Sequence, residues 1–519
     1  MKKRKLPLLI LSLILCLSAV LTTGCENEQS ERNGNRENTM IYGSGDYTSI
    51  NPALYEHGEI NSLLFAGLTA HDGENNLVPG LAESWDWDSD NMKYTFKLKP
   101  ELTFHDGEAV TAHDVLFTLS VILEKENASE IASNYEEITD MKVLDDQTIE
   151  ITLSEANIAF PDYMTIGILP EHIFDSTSIS EHEFNTNPVG AGPFKFSEWD
   201  MGQSITMEKF DDYYAGEPKL DKVIFKIVED YDQRALQLKS GDLDFAQITP
   251  KASEDVGKQE GIGLYDMKTA DYRAIMYNFN NDFWKENGDL IKALSYGIDR
   301  ESIIKSVLLG YGEVAYSPLQ KGEYNNPDIE KYEYNPDKAK KLIEQAGWTM
   351  GGNGYYEKNG VELGFTINNG QGDQVRIDMS NIAAQNLKDI GVNANVEIRA
   401  DVDWENQESY LIGWGSPFDP DDHTYKIFGT DKGANYSGYS DNTVDKLLKQ
   451  GREHSKKQER LPYYKDFQKE LAKNPPYTFI AYIDAIYSGK DNLTGITPDT
   501  VLGHHGVGIF WNIYEWEYK

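Results

Sequence analysis

Apolar and polar positions alternate in short segments along most of the chain, with a few continuous apolar runs, and this pattern predicts β-strands. The predicted strands occupy 92–99, 148–153, 221–228 and 273–280. Elsewhere apolar residues recur three and four positions apart, which predicts helices. The predicted helices occupy 111–125, 337–348 and 378–391. Strands and helices are interspersed without repeats after residue 40, so the pattern indicates an α/β or mixed architecture.

The first 25 residues follow a different pattern. They comprise a basic start, "MKKRK", a short apolar run from Leu6 to Val20, and "LTTGC" at 21–25. A transmembrane helix needs about 20 mostly apolar residues, and this run is shorter. The pattern therefore predicts a secretory signal peptide over 1–24.

Small residues before a cysteine resemble the bacterial lipobox. The resemblance implies a lipid on Cys25 and a membrane anchor on the extracytoplasmic face, although Thr22 stands where the lipobox prefers an aliphatic residue. The alternative is a simple membrane anchor with an incidental cysteine. Residues 25–40 are polar and lack aliphatic side chains after Cys25 until the last position, which predicts a flexible tether.

Cysteine content limits the chemistry. The chain has two cysteines, Cys16 and Cys25, and Cys16 would leave with the signal peptide. The remaining body would have no internal disulfide, so its stability must come from a large core. A lipid on Cys25 would leave no free thiolate for catalysis or for metal binding.

Charge and aromatic content narrow the class of partner. The chain carries 48 basic and 86 acidic residues, a formal charge of −38, which argues against nucleic acid or an anionic surface as partner. Aromatic residues make up 12% of the chain, including 31 tyrosines. Tyrosine and tryptophan offer rigid contact area with a polar tip, which suits the walls of a ligand cleft as well as an ordinary core.

Several histidine motifs could bind a metal. The sequence "HDGE" occurs at 71–74 and again at 105–108, and "GHHG" occurs at 503–506. Histidine and carboxylate are zinc and nickel ligands, but Asp-Gly between apolar stretches is a strong turn signal, so we predict turns at both "HDGE" sites. For "GHHG", a metal contact and a packed turn both stay open. No phosphate loop, dinucleotide fingerprint or HExxH motif occurs, so the sequence predicts no enzyme and no cofactor.

Five segments in order carry a family resemblance. They are 77–119, 187–230, 235–246, 293–303 and 334–348. Together they resemble the signature regions of family 5 extracytoplasmic solute-binding proteins, the receptors of peptide and nickel ABC importers. The resemblance covers nearly all of the chain after residue 40.

The resemblance implies a two-lobed periplasmic-binding-protein-like fold of type II that closes on its ligand by hinge bending. Lobe I would comprise 41–271 and 488–519, with an extra subdomain over 61–184, and lobe II would comprise 272–487. It also implies a monomer that works with ABC permease and ATPase subunits. A receptor needs no covalent chemistry, in agreement with the lack of a catalytic motif.

The stretch "WGSPFDPDDHTY" at 414–425 is the candidate ligand segment. In peptide-binding relatives an aspartate that follows Gly-Trp after two intervening residues binds the peptide's amino terminus; here that place is Pro417, and Asp419 is the nearest acid. The pattern is also similar to nickel-chelate receptors, in which the tryptophan, here Trp414, faces the chelate. "INPALY" at 50–55 resembles their "Leu-Asn-Pro-x-Leu-Tyr" and implies a role for Tyr55. His423 lies near the metal-touching position without matching it.

The sequence therefore predicts a receptor for di- or oligopeptides, with Tyr55, Trp414, Asp419 and His423 at the ligand. Nickel or another metal chelate is the alternative ligand, but 122–133 and 162–172 lack the arginines that would hold a chelator's carboxylates. A cationic group against Asp419, Asp421 or Asp422 is easier to accommodate.

Three of the four site residues have a structural alternative: core packing for Trp414, a turn for Asp419 and a solvated loop for His423. A secreted metal-dependent hydrolase and a signalling receptor are the rivals from other classes.

Overall fold

The computed structural model describes residues 38–55, 58–400, 402–404 and 406–519. Its strands are β1 (Thr39–Ser44), β2 (Thr69–His71), β3 (Leu77–Pro79), β4 (Ala82–Asp88), β5 (Lys93–Leu98), β6 (Ile138–Asp145), β7 (Thr148–Leu153), β8 (Phe194–Asp200), β9 (Ser204–Lys209), β10 (Lys222–Ile227), β11 (Phe245–Ile248), β12 (Ile262–Met267), β13 (Tyr272–Tyr277), β14 (Gly312–Val314), β15 (Thr349–Met350), β16 (Tyr356–Lys358), β17 (Val361–Glu362), β18 (Gly364–Gly370), β19 (Asn393–Arg399), β20 (Ser409–Trp414), β21 (Tyr477–Ile483), β22 (Ala485–Lys490), β23 (Leu493–Thr494) and β24 (Glu517–Tyr518).

The helices in the described part of the chain are α1 (Asn61–Leu64), α2 (Ala112–Leu123), α3 (Phe160–Tyr163), α4 (Tyr231–Ser240), α5 (Pro250–Val256), α6 (Asp282–Asn287), α7 (Leu290–Gly297), α8 (Arg300–Ser306), α9 (Pro336–Gln345), α10 (Gln374–Asp389), α11 (Tyr425–Phe428), α12 (Asn442–Glu453) and α13 (Lys457–Lys473). Among these residues, no helix has both the length and the apolar content that crossing a bilayer requires.

Two large sheets organise the molecule. The first has seven strands in the order β12-β22-β11-β1-β10-β9-β8, and the second has six in the order β14-β21-β13-β20-β18-β19. In the first sheet β1 pairs in parallel with β10 and β11, whereas β22 pairs antiparallel with β11 and β12. Because β22 follows the second sheet in sequence, the chain leaves the first sheet after β12 and returns to it near the carboxyl terminus.

The chain therefore passes between the two sheets after β12 and again before β22, and we call this region the crossing. It divides the molecule into lobe I, residues 38–267 with 485–519, and lobe II, residues 272–483. The sequence predicts 488 as the start of the carboxyl-terminal part of lobe I, and in the structure β22 begins at Ala485. Ala485 already pairs with Met267 of β12, because β22 must begin there to extend the first sheet. A third chain segment, at Leu502, also lies beside the crossing, since the Ala270 N–H donates to the Leu502 carbonyl at 2.8 Å.

A four-stranded sheet, β4-β5-β7-β6, extends lobe I and packs against α2. The helix starts at Thr111, whose side chain and that of Asp114 form a capping box. Val115, Leu119 and Ile122 lie on its buried face. Fully burying such a side chain stabilises the fold by about 1.5–3 kcal/mol. The apolar spacing that predicted this helix therefore also determines which of its faces packs against the sheet.

In lobe II, α10 follows β18 and precedes β19, which pair in parallel. Its apolar face buries Met379, Ala383 and Leu387 in the same core as Ile367 of β18. β20 lies beside β18 and β13 in the middle of the sheet, and its last residue, Trp414, pairs with Tyr272 at the start of β13. The end of β20 therefore lies beside the crossing between the lobes.

Candidate ligand-binding site

A cavity of about 390 Å³ lies between the lobes. Lobe I supplies most of its wall, and lobe II supplies Gly415, Ser416, Phe418, Asp422 and His423. A volume of this size falls within the usual range for a small-molecule pocket. The aromatic residues that line it are Tyr55, Phe65, Tyr135, Tyr163, Tyr213, Tyr214, Phe418, Phe510 and Trp511.

The lobe II wall is a tight loop that starts where β20 ends. Gly415 has φ +153°, and a Cβ at this position would overlap the carbonyl oxygen of Ala270 in the crossing. Only glycine fits such a close approach with this backbone conformation. The Gly415 N–H donates to Nδ1 of His423 at 2.9 Å, which folds the loop back on itself. The neutral ring then carries its proton on Nε2.

Two carboxylates line the cavity from opposite lobes. Asp162 of lobe I lies 3.0 Å from Nε2 of His71, and burial raises the pKa of this carboxyl. Burial would also raise the pKa of Asp422, but the neighbouring His423, the positive charge of Lys426 and a hydrogen bond from Ser416 outweigh it and hold that pKa below its ordinary value. Among the described residues that line the cavity there is no lysine or arginine. The wall therefore offers negative charge without an arginine or lysine partner inside the cavity.

His71 and Phe418 meet across the cleft. Their rings are stacked, with centroids 3.7 Å apart and planes within 7° of parallel. Nε2 of His71 also contacts Asp162, so the stacked ring of Phe418 covers one face of the imidazole in this pair. The contact joins β2 of lobe I to the loop after β20.

The structure brings two of the four predicted ligand residues to the cavity. Tyr55 and His423 line it. Trp414 is buried behind the wall, with its ring edge-on to His423 at 5.5 Å and stacked on Tyr436 at 6.2 Å. Trp414 is therefore placed to support His423. The predicted lipid site, Cys25, lies outside the described residues.

Asp419 does not line the cavity. Arg460 of α13 binds both of its carboxylate oxygens, one of them at 2.6 Å from Nη2. The same carboxylate accepts a hydrogen bond from the Asp421 N–H at 2.9 Å. Both oxygens are thus engaged within lobe II, which corresponds to the structural alternative for this residue, and Asp422 takes the position facing the cavity.

The other histidine motifs form turns, as expected for both "HDGE" sites. "GHHG" is a tight turn in which His505 adopts a left-handed backbone conformation, with φ 55°. His504 lines the cavity, and its Nδ1 lies 2.8 Å from Asp271 of the crossing; burial lowers the pKa of His504 to about 4. Within the described chain, no group of three or more histidine, cysteine or acidic residues is arranged to hold a metal ion.

Sequence reasoning missed Asp162 and the stacking partners of the wall. Asp162 lies in α3, whereas Asp422 follows β20 more than 250 positions later, and no local motif connects them. For His71, the sequence predicts only a turn. Folding alone brings these side chains together.

Comparison with known proteins decides the family. Residues 76–436 match the model of the bacterial extracellular solute-binding proteins, family 5. The chain belongs to this family. Over 99% of its own length and 99% of the relative's, this family 5 protein is 31% identical to the oligopeptide-binding protein AppA of Bacillus subtilis.

Solved structures of similar proteins agree with the fold. NikZ of Campylobacter jejuni, in complex with Ni(L-His), shares 36% identity and a TM-score of 0.86, with 93% of this chain and 99% of NikZ covered. AppA of B. subtilis, in complex with a nonapeptide, shares 31% identity and a TM-score of 0.82 over the same shares. The predicted family and the two-lobed fold are confirmed, and this family 5 protein is an extracytoplasmic solute-binding protein.

Proposed function

We propose that this family 5 protein is a lipid-anchored receptor that captures short peptides between its lobes and delivers them to an ABC permease with its ATPase subunits. The leader over 1–24 would be removed, a lipid on Cys25 would hold the protein at the extracytoplasmic face, and 25–40 would act as a tether for a monomeric body. No covalent chemistry is required of such a receptor.

The wall of the cavity carries this proposal. Asp162 and Asp422 approach from opposite lobes, and no described lysine or arginine lines the space between the aromatic walls. An ammonium group gains charge-assisted hydrogen bonds from such carboxylates. A peptide's amino terminus supplies that group, and its side chains can pack against the tyrosines and phenylalanines.

Asp422 is the better partner for the ammonium group. Its pKa is held below the ordinary value, so it stays ionised at neutral pH, whereas burial raises the pKa of Asp162. We assign Asp422 the ionic contact and Asp162, with His71, a hydrogen-bonding role beside it. Tyr55 and His423 would contact the ligand, and Trp414 would support His423 from behind.

A metal chelate is the second candidate ligand. His71, His423 and His504 line the cavity, and imidazole is a good nickel ligand. The similarity to NikZ, whose structure contains Ni(L-His), favours it as well. An anionic chelate, however, would face Asp162 and Asp422 without arginine or lysine in the wall. A metal-dependent hydrolase is less favoured still, because no described cluster could hold its metal.

Native mass spectrometry of residues 26–519, purified gently and paired with metal analysis of the same sample, tests these alternatives. A series of adducts at peptide masses that is lost on denaturation would support peptide capture. A stoichiometric transition metal with a small organic partner would replace the peptide proposal by the chelate one. If the protein emerges bare, titration with a mixture of di- to pentapeptides and with Ni²⁺ plus L-histidine makes the same distinction.

A further inference from the structure

One arginine of lobe II crosses to lobe I at the edge of the cleft. Arg452, on α12, binds both carboxylate oxygens of Glu137, with Nη2 at 3.0 Å from Oε2. On its other side, Nε lies 3.0 Å from Oδ2 of Asp421 in its own lobe. The Arg452 side chain is only 4% exposed, and that of Glu137 is 15% exposed. The pair is therefore well shielded from water.

Further contacts join the lobes around this arginine. The Tyr163 hydroxyl of lobe I donates to Oδ2 of Asp421 at 2.9 Å. The Ile158 N–H of lobe I donates to the Arg452 carbonyl at 3.0 Å. Lobe I thus reaches the side chain of Asp421, the side chain of Arg452 and the backbone of Arg452.

This cluster shares a wall with the cavity. Tyr163 lines the cavity, and Asp421 immediately precedes Asp422, which also lines it. Any movement of Tyr163 away from Asp421 would displace both the cavity wall and the interlobe contact.

We propose that Arg452 is an interlobe latch: by joining Glu137 of lobe I to Asp421 of lobe II, it holds the lobes closed and positions Tyr163 and Asp422 at the cavity. The latch does not depend on which solute the protein binds, because its contacts are made between protein groups alone.

The strength of the latch follows from burial. An exposed ion pair contributes little to stability. A buried charge that loses its partner is strongly unfavourable, and here loss of Arg452 would remove the arginine that pairs with both Glu137 of lobe I and Asp421 of lobe II. Arginine suits this place because its planar guanidinium can bind Glu137 through two nitrogens while Nε remains available for Asp421. Lysine would keep the charge but lose this geometry.

Distances between spin labels on the two lobes test the latch in the ligand-free protein. Residues 26–519 contain no cysteine, so labels can be attached at Asp140→Cys in lobe I and Gln458→Cys in lobe II, both exposed. We expect Arg452→Gln to lower the ratio of closed to open molecules by about tenfold or more. Arg452→Lys should restore part of it. Hydrogen exchange at the Ile158 amide should accelerate in parallel, while amides of the lobe cores stay protected.

Glu137→Gln is the second variant, because it changes only the lobe I half and leaves α12 and Asp421 intact. It should open the lobes as Arg452→Gln does, with little further change in the double variant. Lys93→Gln is the matched control, since Lys93 pairs with Glu150 at 3.0 Å entirely within lobe I; it should leave the distances unchanged. Unaltered distances and unaltered Ile158 exchange in Glu137→Gln would overturn the latch, even if Arg452→Gln failed to fold.

Discussion

Arg460 binds both carboxylate oxygens of Asp419 inside lobe II, and the Arg460 side chain is 7% exposed. This pair links α13 to the loop that forms one wall of the cavity. The side chain of Asp419 therefore contributes to the position of the loop, while the neighbouring Asp422 lines the cavity.

The first prediction follows from this pair. Asp419→Asn should destabilise the protein by about 3–5 kcal/mol, because it leaves a buried guanidinium with a neutral partner. Thermal or urea unfolding measures the loss. Molecules that remain folded should still bind the solute found by native mass spectrometry, because Asp422 is unchanged. An unaltered unfolding midpoint together with lost binding would show that Asp419 contacts the ligand.

Much of the fold could be predicted from the sequence. The apolar spacing over 111–125 predicted a helix that the structure places at Ala112–Leu123, and the alternation over 148–153 coincides with β7. These elements follow local rules, since one face of each must be buried. The residue at which the chain returns to the first sheet does not follow from such rules, because the pairing of β22 with β12 depends on a partner distant in sequence.

The site was predictable only in part. Tyr55 and His423 line the cavity. Tyr55 was predicted from a short motif that resembles one in relatives, and His423 from its place near a metal-touching position that it does not match. Asp162 pairs with His71 inside lobe I, and Arg452 pairs with Glu137 across the lobes; both partners are far away in the chain, so no local pattern marks these residues. The sequence predicts Asp419 at the ligand, whereas in the structure Arg460 binds its carboxylate, and sequence alone does not reveal which of the clustered aspartates pairs with an arginine.

Asp422 is predicted to recognise the solute's ammonium group. Asp422→Asn should weaken binding of a peptide about 10–100-fold, since a hydrogen bond to a charged group contributes about 1.5–3 kcal/mol. Isothermal titration with a peptide identified from the adducts gives the value. Acetylating the peptide's amino terminus should weaken binding to the unaltered protein by a similar factor but have little further effect on the variant. An equal loss on acetylation in both proteins would contradict the assignment.

The stacked pair of His71 and Phe418 should slow release of the solute. Phe418→Ala removes an aromatic contact across the cleft, and aromatic pairs contribute about 0.5–1.5 kcal/mol beyond the area they bury. We expect the dissociation rate to rise about threefold to tenfold, with a smaller change in the association rate, as measured by stopped-flow fluorescence. Phe418→Tyr keeps the ring and should behave like the unaltered protein. If both variants release the solute equally fast, stacking is not the cause.

The lipid anchor gives a separate prediction. Cys25→Ser should remove the attachment point, so that the protein partitions into the aqueous phase of a detergent extraction and incorporates no labelled fatty acid. Cys16→Ser, within the leader, is the matched control and should leave the lipid in place. Fatty acid on the Cys25→Ser protein would show that the anchor lies elsewhere.

His105 should make the stability of lobe I depend on pH. Its Nδ1 accepts from the Gly190 N–H at 3.2 Å and its Nε2 lies 3.0 Å from the Gly192 carbonyl, so the neutral ring fits the site. Burial lowers the pKa of His105 to about 4, from 6.5 for an ordinary histidine. Between about pH 4 and pH 6.5, the unfolded chain therefore binds a proton on this histidine that the folded protein does not bind. The free energy of unfolding falls as the pH drops through this range.

One such group contributes a slope of up to about 1.4 kcal/mol per pH unit. Urea unfolding of the unaltered protein and of His105→Gln between pH 4.5 and 8 measures it as a difference between the two slopes. Burial raises the pKa of Asp421 to about 6, which acts in the opposite direction, but both proteins contain this group and its effect cancels. The slopes should differ below pH 6.5 and coincide above it, because only there is His105 neutral in both the folded and the unfolded chain. Parallel slopes throughout would show that His105 is protonated in the folded protein, and the hydrogen bond from Gly190 would then have to be absent in solution.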